Sequence, residues 1–209
     1  MSVMRRLRAE TRGWHDALEA TPFSLALGNR TLPLDRYVGQ LTAYRIILST
    51  LETRLATTAD ATVAAVWHPD LTKMPLLDRD LAYFSQRPAG EFLAETVGVA
   101  ERIAMAVDHR EPAALLGFLY VFEGSTLGAL ELTQHVRAAF QLPDDHGLAY
   151  YTSGDRTRWA GFSARMDAAL THDPRQEDVL AAATTAYRWI ADVLDTLSPR
   201  VPAGEHTSL

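Results

Sequence analysis

The run Tyr120-Val-Phe-Glu-Gly124-Ser-Thr-Leu-Gly128-Ala-Leu-Glu-Leu places two glycines four residues apart inside a long apolar segment of helical period. Each glycine in a helix interior costs about 1 kcal/mol relative to alanine, so the pair is a considerable local expense. At i and i+4 both bare Cα positions lie on one face. The small Ser125 and Thr126 between them weaken the turn further. Something can therefore approach this backbone more closely than any side chain would permit. A second helix crossing tightly and a flat ligand both meet that condition, and the stretch alone leaves both open.

The remaining periodicity is helical almost everywhere. From Ser2 as N-cap, Val3, Leu7, Trp14 and Leu18 mark an amphipathic helix that ends before Pro22. A longer helix follows Pro33, which suits a first-turn position, with Tyr37, Leu41, Tyr44, Ile47, Leu48, Leu51 and Leu55 on its inner face. Short helices are expected over Ala61 to Trp67 and Pro75 to Phe84, and longer ones over Gly90 to Val107 and Pro112 to Phe140. Leu142 to Gly154 reads as a loop, and two helices near Asp155 to Leu170 and Gln176 to Leu197 close the domain. There is no internal repeat and no strand-type alternation. The expectation is an all-α fold: one multi-helix domain over residues 1–198, with a flexible tail over 199–209.

Composition narrows the function classes. A chain of 209 residues suits one domain, and 47% hydrophobic with 22% charged residues excludes wholesale disorder. A net charge of −6 gives no basic footprint for nucleic acid. No cysteine is present, which removes disulfides, thiolate metal sites and a cysteine nucleophile, and fits a cytoplasmic location. The N-terminus has basic residues without an apolar core after them, unlike a secretion signal. No run approaches the roughly 18 apolar residues of a membrane span, so no membrane partner is expected.

On the first helix, His15 is followed one turn later by Glu19 and preceded by Arg8 and Arg12 on nearby faces. Glu19 can accept from one imidazole nitrogen, which fixes the tautomer and turns the other lone pair outward. A neutral imidazole near guanidinium groups suits an iron porphyrin, whose propionates want cations. A surface histidine among solvated arginines fits the same residues. Tyr44, Tyr120 and Phe162 suit either a pocket wall or core packing. His135 reads as structural or exposed, and His68, His109, His146, His172 and His206 as exposed. A di-iron carboxylate site needs paired Glu-x-x-His elements, whereas Glu131 and His135 are four apart and have no partner motif.

Three segments carry a family resemblance. Leu7-Arg-Ala-Glu-Thr-Arg-Gly-Trp-His15-Asp-Ala-Leu-Glu19 resembles the proximal helix of heme oxygenases, where Leu-(Arg/Lys)-x-x-Thr-(Arg/Lys)-x-x-His-x-x-x-Glu leads to the heme-ligating histidine. Tyr120 to Gly128 resembles the distal helix in its bacterial Glu-Gly-Ser-x-Leu-Gly form. Leu148-Ala-Tyr-Tyr-Thr, followed by Trp159-Ala-Gly-Phe-Ser-Ala-Arg165-Met166, is similar to the family's late segment. Order and distances agree over most of residues 3 to 195.

The resemblance implies heme held between the His15 helix and a bent distal helix, with His15 as axial ligand and Gly124 and Gly128 passing close over the distal face. Heme is then both cofactor and substrate. Oxidation by O₂ and external electrons at a meso carbon yields biliverdin, carbon monoxide and ferrous iron, for iron acquisition or for bilin supply to a photoreceptor. Many members place aspartate after the first distal glycine to organise a water; here Ser125 stands there and supplies no charge. Glu123 points about 100° away around an ideal helix and need not face the pocket. Arg8 and then Arg12 are the expected propionate partners, with Arg158 and Arg165 as substitutes. No flavin or iron–sulfur motif is present, which implies an external reductase or ferredoxin. Arg5, Arg6, Arg8 and Arg12 could form a collar for an acidic donor. A non-catalytic heme carrier or sensor would need the same residues, whereas thiaminase-like hydrolysis on this fold relies on a cysteine the chain lacks.

Overall fold

The computed structural model describes residues 2–85, 93–143, 146–171 and 173–199. Nine α-helices are found among them: α1 (Val3–Glu19), α2 (Pro22–Gly28), α3 (Leu34–Thr57), α4 (Ala61–Val66), α5 (Met74–Phe84), α6 (Leu93–Asp108), α7 (Pro112–Phe140), α8 (Arg156–Ala169) and α9 (Asp173–Leu197), with a short 3₁₀ turn at Pro69–Leu71. No strand occurs among the described residues, as the 3.6-residue periodicity requires. The expected start of a helix at Gly90 and the tail from residue 200 lie outside the described residues.

Local chemistry sets most boundaries. Asp60 Oδ1 accepts from the backbone of Thr62 and Val63 at 2.9 and 3.1 Å to start α4. Asp155 does the same for Thr157 and Arg158 at 2.7 and 3.0 Å to start α8. Both satisfy amides that have no partner within the helix. Ser2 occupies the N-cap of α1 without a side-chain hydrogen bond. Pro33 is the N-cap of α3 and not a first-turn residue. Gln141, in the left-handed conformation at φ 51°, ends α7.

Helix α2 departs from the sequence reading, which treats Pro22 only as a stop. Thr21 Oγ1 accepts from Ser24 N at 3.2 Å, and Pro22 sits in the first turn, where its missing N–H costs nothing. The same proline that ends one helix starts the next.

The most extensive pairings are α7 with α9 and α3 with α6, while α1 lies on α9 and α5 on α3. At Gly117 the α7–α9 crossing is so close that a Cβ would sit 2.7 Å from Ala183 N and 2.8 Å from Ala182 Cβ. Tight helix crossing therefore occurs one helical segment before the Gly124/Gly128 pair. Helix α7 runs through that pair without interruption. Contrary to the sequence expectation, α7 is long and apolar enough to cross a membrane, but most of it is buried among its neighbours, as in a core helix. Replacing Gly117 with alanine forces the α7 and α9 backbones apart; a loss of about 1–3 kcal/mol in chemical denaturation is expected.

Candidate heme-binding site

A crevice of about 320 Å³ opens between α1, α2, α3, α7, α9 and the 148–151 segment. That volume falls in the range of small-molecule pockets, roughly 300–1,000 Å³. His15 and Glu19 form one wall; Gly124, Ser125 and Gly128 form another; Tyr44 closes the back. A Cβ at Gly128 would meet nothing within 4 Å, and one at Gly124 would meet only the Trp159 ring at 3.4 Å. Among the described residues no backbone of another helix comes within 4 Å of either Cβ position. The tight crossing that the glycine pair allows is not found there among the described residues, and both glycines line the crevice.

His15 is half exposed, with Nδ1 3.7 Å from Asp16 Oδ1 and 3.8 Å from Glu19 Oε1. These are electrostatic contacts too long for a direct hydrogen bond. Leu18, Phe23, Leu27, Val121, Ile190 and Leu194 supply apolar lining.

The structure also brings in groups that the sequence reading missed. Gln40 Nε2 donates to the Tyr44 hydroxyl at 3.3 Å, and Gln40 Oε1 accepts from the Tyr151 hydroxyl at 2.7 Å. Gln40 stands one turn before Tyr44 on the same face of α3, the one signal that could have found it. Tyr150 and Tyr187 complete the polar lining. Burial pushes the Tyr44 and Tyr187 hydroxyls up to about 12 and raises those of Tyr150 and Tyr151 well above the usual tyrosine value. These hydroxyls are therefore neutral near pH 7. Tyr120 lies just outside the crevice against Trp159, ring centroids 5.7 Å apart. Its hydroxyl is raised by burial, an effect opposed by the Thr11 hydroxyl and the nearby Arg8 charge.

Two expected propionate ligands are engaged elsewhere. Arg158 Nε donates to Glu123 Oε1 at 2.7 Å, and a terminal nitrogen of Arg158 donates to Ser153 O at 2.7 Å. Arg165 Nε donates to Val66 O at 2.9 Å, beside Asp70 at 3.9 Å. Neither lines the crevice. Arg8 and Arg12 are exposed on α1 and do not line it either. Phe162 is core, its ring tilted against Trp159 with centroids 5.5 Å apart.

Glu123 does face away from the crevice, but into a buried ion cluster that helical spacing does not reveal. Its Oε2 accepts from Lys73 Nζ at 2.5 Å while Oε1 holds Arg158. Lys73 also donates from Nζ to Leu71 O at 3.1 Å, and its backbone N–H donates to Glu52 at 2.6 Å. Desolvation is the first cause of the lowered Lys73 pKa and of the raised Glu52 pKa. Lys73 and Glu123 are separated by 50 residues, so no local pattern connects them.

A more open depression of about 600 Å³ lies between α3 and α6, lined by Ile46, Arg54, Glu101, Met105 and Asp108 among others. Arg54 is spent there on Asp108 at 3.4 Å and on Arg110 O at 3.0 Å. Ser49, Thr50 and Thr53 also line it.

The chain matches the heme oxygenase family profile over residues 1–196 and belongs to that family. Comparison with curated protein sequences gives no match. Among solved structures, the heme oxygenase of Leptospira interrogans superposes with a TM-score of 0.78 at 18% identity, covering 92% of this chain and 98% of that one. Heme oxygenase-2 of Synechocystis sp., solved with heme and NO, gives 0.79 at 21% identity over 94% of this chain and 85% of that one. The Neisseria meningitidis heme oxygenase gives 0.68 at 19% identity over 97% and 96%. At such identities the structures establish the shared all-α fold.

Two outcomes follow from this geometry. Glu123→Ala leaves Lys73 buried without its carboxylate and should cost about 3–5 kcal/mol in urea denaturation. Gly128→Ala should stabilise the ligand-free protein by about 0.5–1 kcal/mol, because the added methyl removes backbone freedom and meets no atom.

Proposed function

We propose that this chain is a heme oxygenase that cleaves heme at a meso carbon, with O₂ and external electrons, to biliverdin, carbon monoxide and ferrous iron. The single observation that carries this reading is the crevice in which an imidazole faces a wall stripped of side chains at Gly128. A planar group with a metal at its centre needs that combination: a nitrogen donor on one side and closely approaching backbone on the other. Bound there, heme supplies the oxygen-activating chemistry, and the protein supplies position and environment.

His15 would hold the iron, and Glu19 with Asp16 would orient its ring. A neutral imidazole donates less electron density than a thiolate, which suits oxidation of the macrocycle over strong O–O cleavage. Gly124 and Gly128 would let main chain approach the opposite face, and Ser125 would offer a hydroxyl to water there. Tyr44 would wall the back. Since Arg158 and Arg165 are committed elsewhere, propionate binding falls to Arg8 and Arg12, with the Tyr120 hydroxyl beside Arg8.

Electrons would come from a ferredoxin or flavoprotein reductase docked at the crevice mouth. Arg6 leaves the proposed collar, because it is paired with Glu10 and Glu177 at 3.2 and 2.7 Å. Arg5, Arg8 and Arg12 remain exposed. The absence of cysteine supports work in the cytoplasm, where the bilin or the iron would pass to its acceptor.

Hemin titration with reductant under air tests the reading. The wild type should develop a Soret band that gives way to a biliverdin band. His15→Ala should keep its helical content and lose turnover by at least 100-fold. Undiminished biliverdin formation by that variant rejects His15 as the ligand.

A further inference from the structure

Ser125 lines the crevice directly after Gly124, and alone it is poorly equipped to hold a water there. Its hydroxyl donates to Phe122 O at 2.9 Å, so its single hydrogen is spent on its own helix. Its oxygen lies 3.4 Å from the Tyr150 hydroxyl. With the serine hydrogen committed, Tyr150 is the donor in that contact.

Tyr150 is held in place from behind. Both oxygens of the fully buried Asp80 carboxylate accept backbone N–H groups, from Ala149 at 2.7 Å and from Tyr150 at 2.8 Å. Tyr37 fixes the same segment by donating to Gly147 O at 2.8 Å. The Tyr44 ring meets the Tyr150 ring edge-on, centroids 5.8 Å apart. Tyr150 is only 2% exposed, yet it lines the crevice beside Gly124, Ser125 and Gly128. A loop residue clamped this firmly presents a hydroxyl of defined position, as a preorganised site requires.

We infer that Tyr150 is a positioning residue for the reaction: with Ser125 it forms a neutral hydroxyl pair that holds a crevice water. The inference rests on the heme oxygenase reading above. Tyr150 donates to Ser125 and keeps its own lone pairs, and Ser125 Oγ keeps one. A water giving one hydrogen to this pair has its other hydrogen free for the space over Gly128. Two uncharged groups thereby hold a water without burying a net charge. The titratable neighbours of Tyr150 are Tyr44 and Glu52 on α3, Asp80 on α5, Glu123 on α7 and Tyr151 alongside; His15, Glu19, Glu131 and Tyr187 lie around the crevice. Glu123 is neutralised by Lys73 and Arg158 on the far side of α7.

The test reads the pH midpoint of the acid–alkaline spectral transition in the ferric heme-loaded protein. A hydrogen directed over Gly128 favours negative charge developing there. Tyr150→Phe keeps the ring and should raise the midpoint by roughly half to one pH unit, the effect of one hydrogen bond. Ser125→Ala should raise it similarly, and the double variant should match the single ones because the pair acts as a unit. Tyr83→Phe, outside the crevice, should leave it unchanged. Should Tyr150→Phe lose its cooperative melt, the Ser125→Ala midpoint decides alone. An unmoved midpoint, or single shifts that simply add, overturns the inference. Failure of the wild type to ligate heme through His15 would instead remove the underlying reading.

Discussion

The Glu123 carboxylate, buried between Lys73 and Arg158, ties the molecule together. It sits one residue before Gly124, so the ions that hold it also fix the depth and rotation of α7 at the crevice wall. Lys73 is the N-cap of α5 and Arg158 lies in the first turn of α8, which brings three helices to one point. Through Arg158 the cluster also sets Trp159, the only side chain that a Cβ at Gly124 would touch within 4 Å among the described residues. Buried ion pairs contribute little net stability once desolvation is counted, yet removing one partner is costly. Such a cluster is best understood as setting register. The helix can be clamped by charge on one face because the opposite face must stay bare.

That division explains the polarity of the crevice. Charge is kept behind α7, while hydroxyls and an amide from Gln40, Tyr44, Ser125, Tyr150 and Tyr151 line the interior. Burial holds the tyrosines protonated, since the ionised form has no cation within this neutral lining to repay its lost hydration. The carboxylates of Glu19 and Glu131 are exposed at the mouth. The interior of the crevice is thus apolar and hydroxyl-lined, with the exposed Arg8 and Arg12 of α1 outside it.

Much of the fold was legible because helix formation is local. Apolar spacing located α1, α3, α7 and α9, and α7 begins and ends at Pro112 and Phe140 as its punctuation indicates. Helix α2 was missed because Pro22 carries two meanings, and only the Thr21 cap distinguishes them. The apolar length of α7 was underestimated as well, since burial by neighbours and not its own composition keeps it in a core. His15, Glu19, Tyr44 and the glycine pair line one crevice, a convergence that spacing within single helices does not reveal. Arg158 and Arg165 do not, because a guanidinium takes the best acceptor within reach, and that acceptor is set by distant chain.

The sequence by itself determined which long segments are helical, where the backbone is bare of side chains and which family the motifs resemble, for these depend on neighbours within a few residues. Only the tertiary structure decided that Gly117, and not the glycine pair, takes the tight crossing. It alone showed that Glu123 is neutralised from α5 and α8, and that Tyr150 reaches Ser125. The physical reason is range. Backbone hydrogen bonding and amphipathic period repeat every turn and are written locally, whereas close packing and buried charge require partners that the chain brings together only when the core has formed.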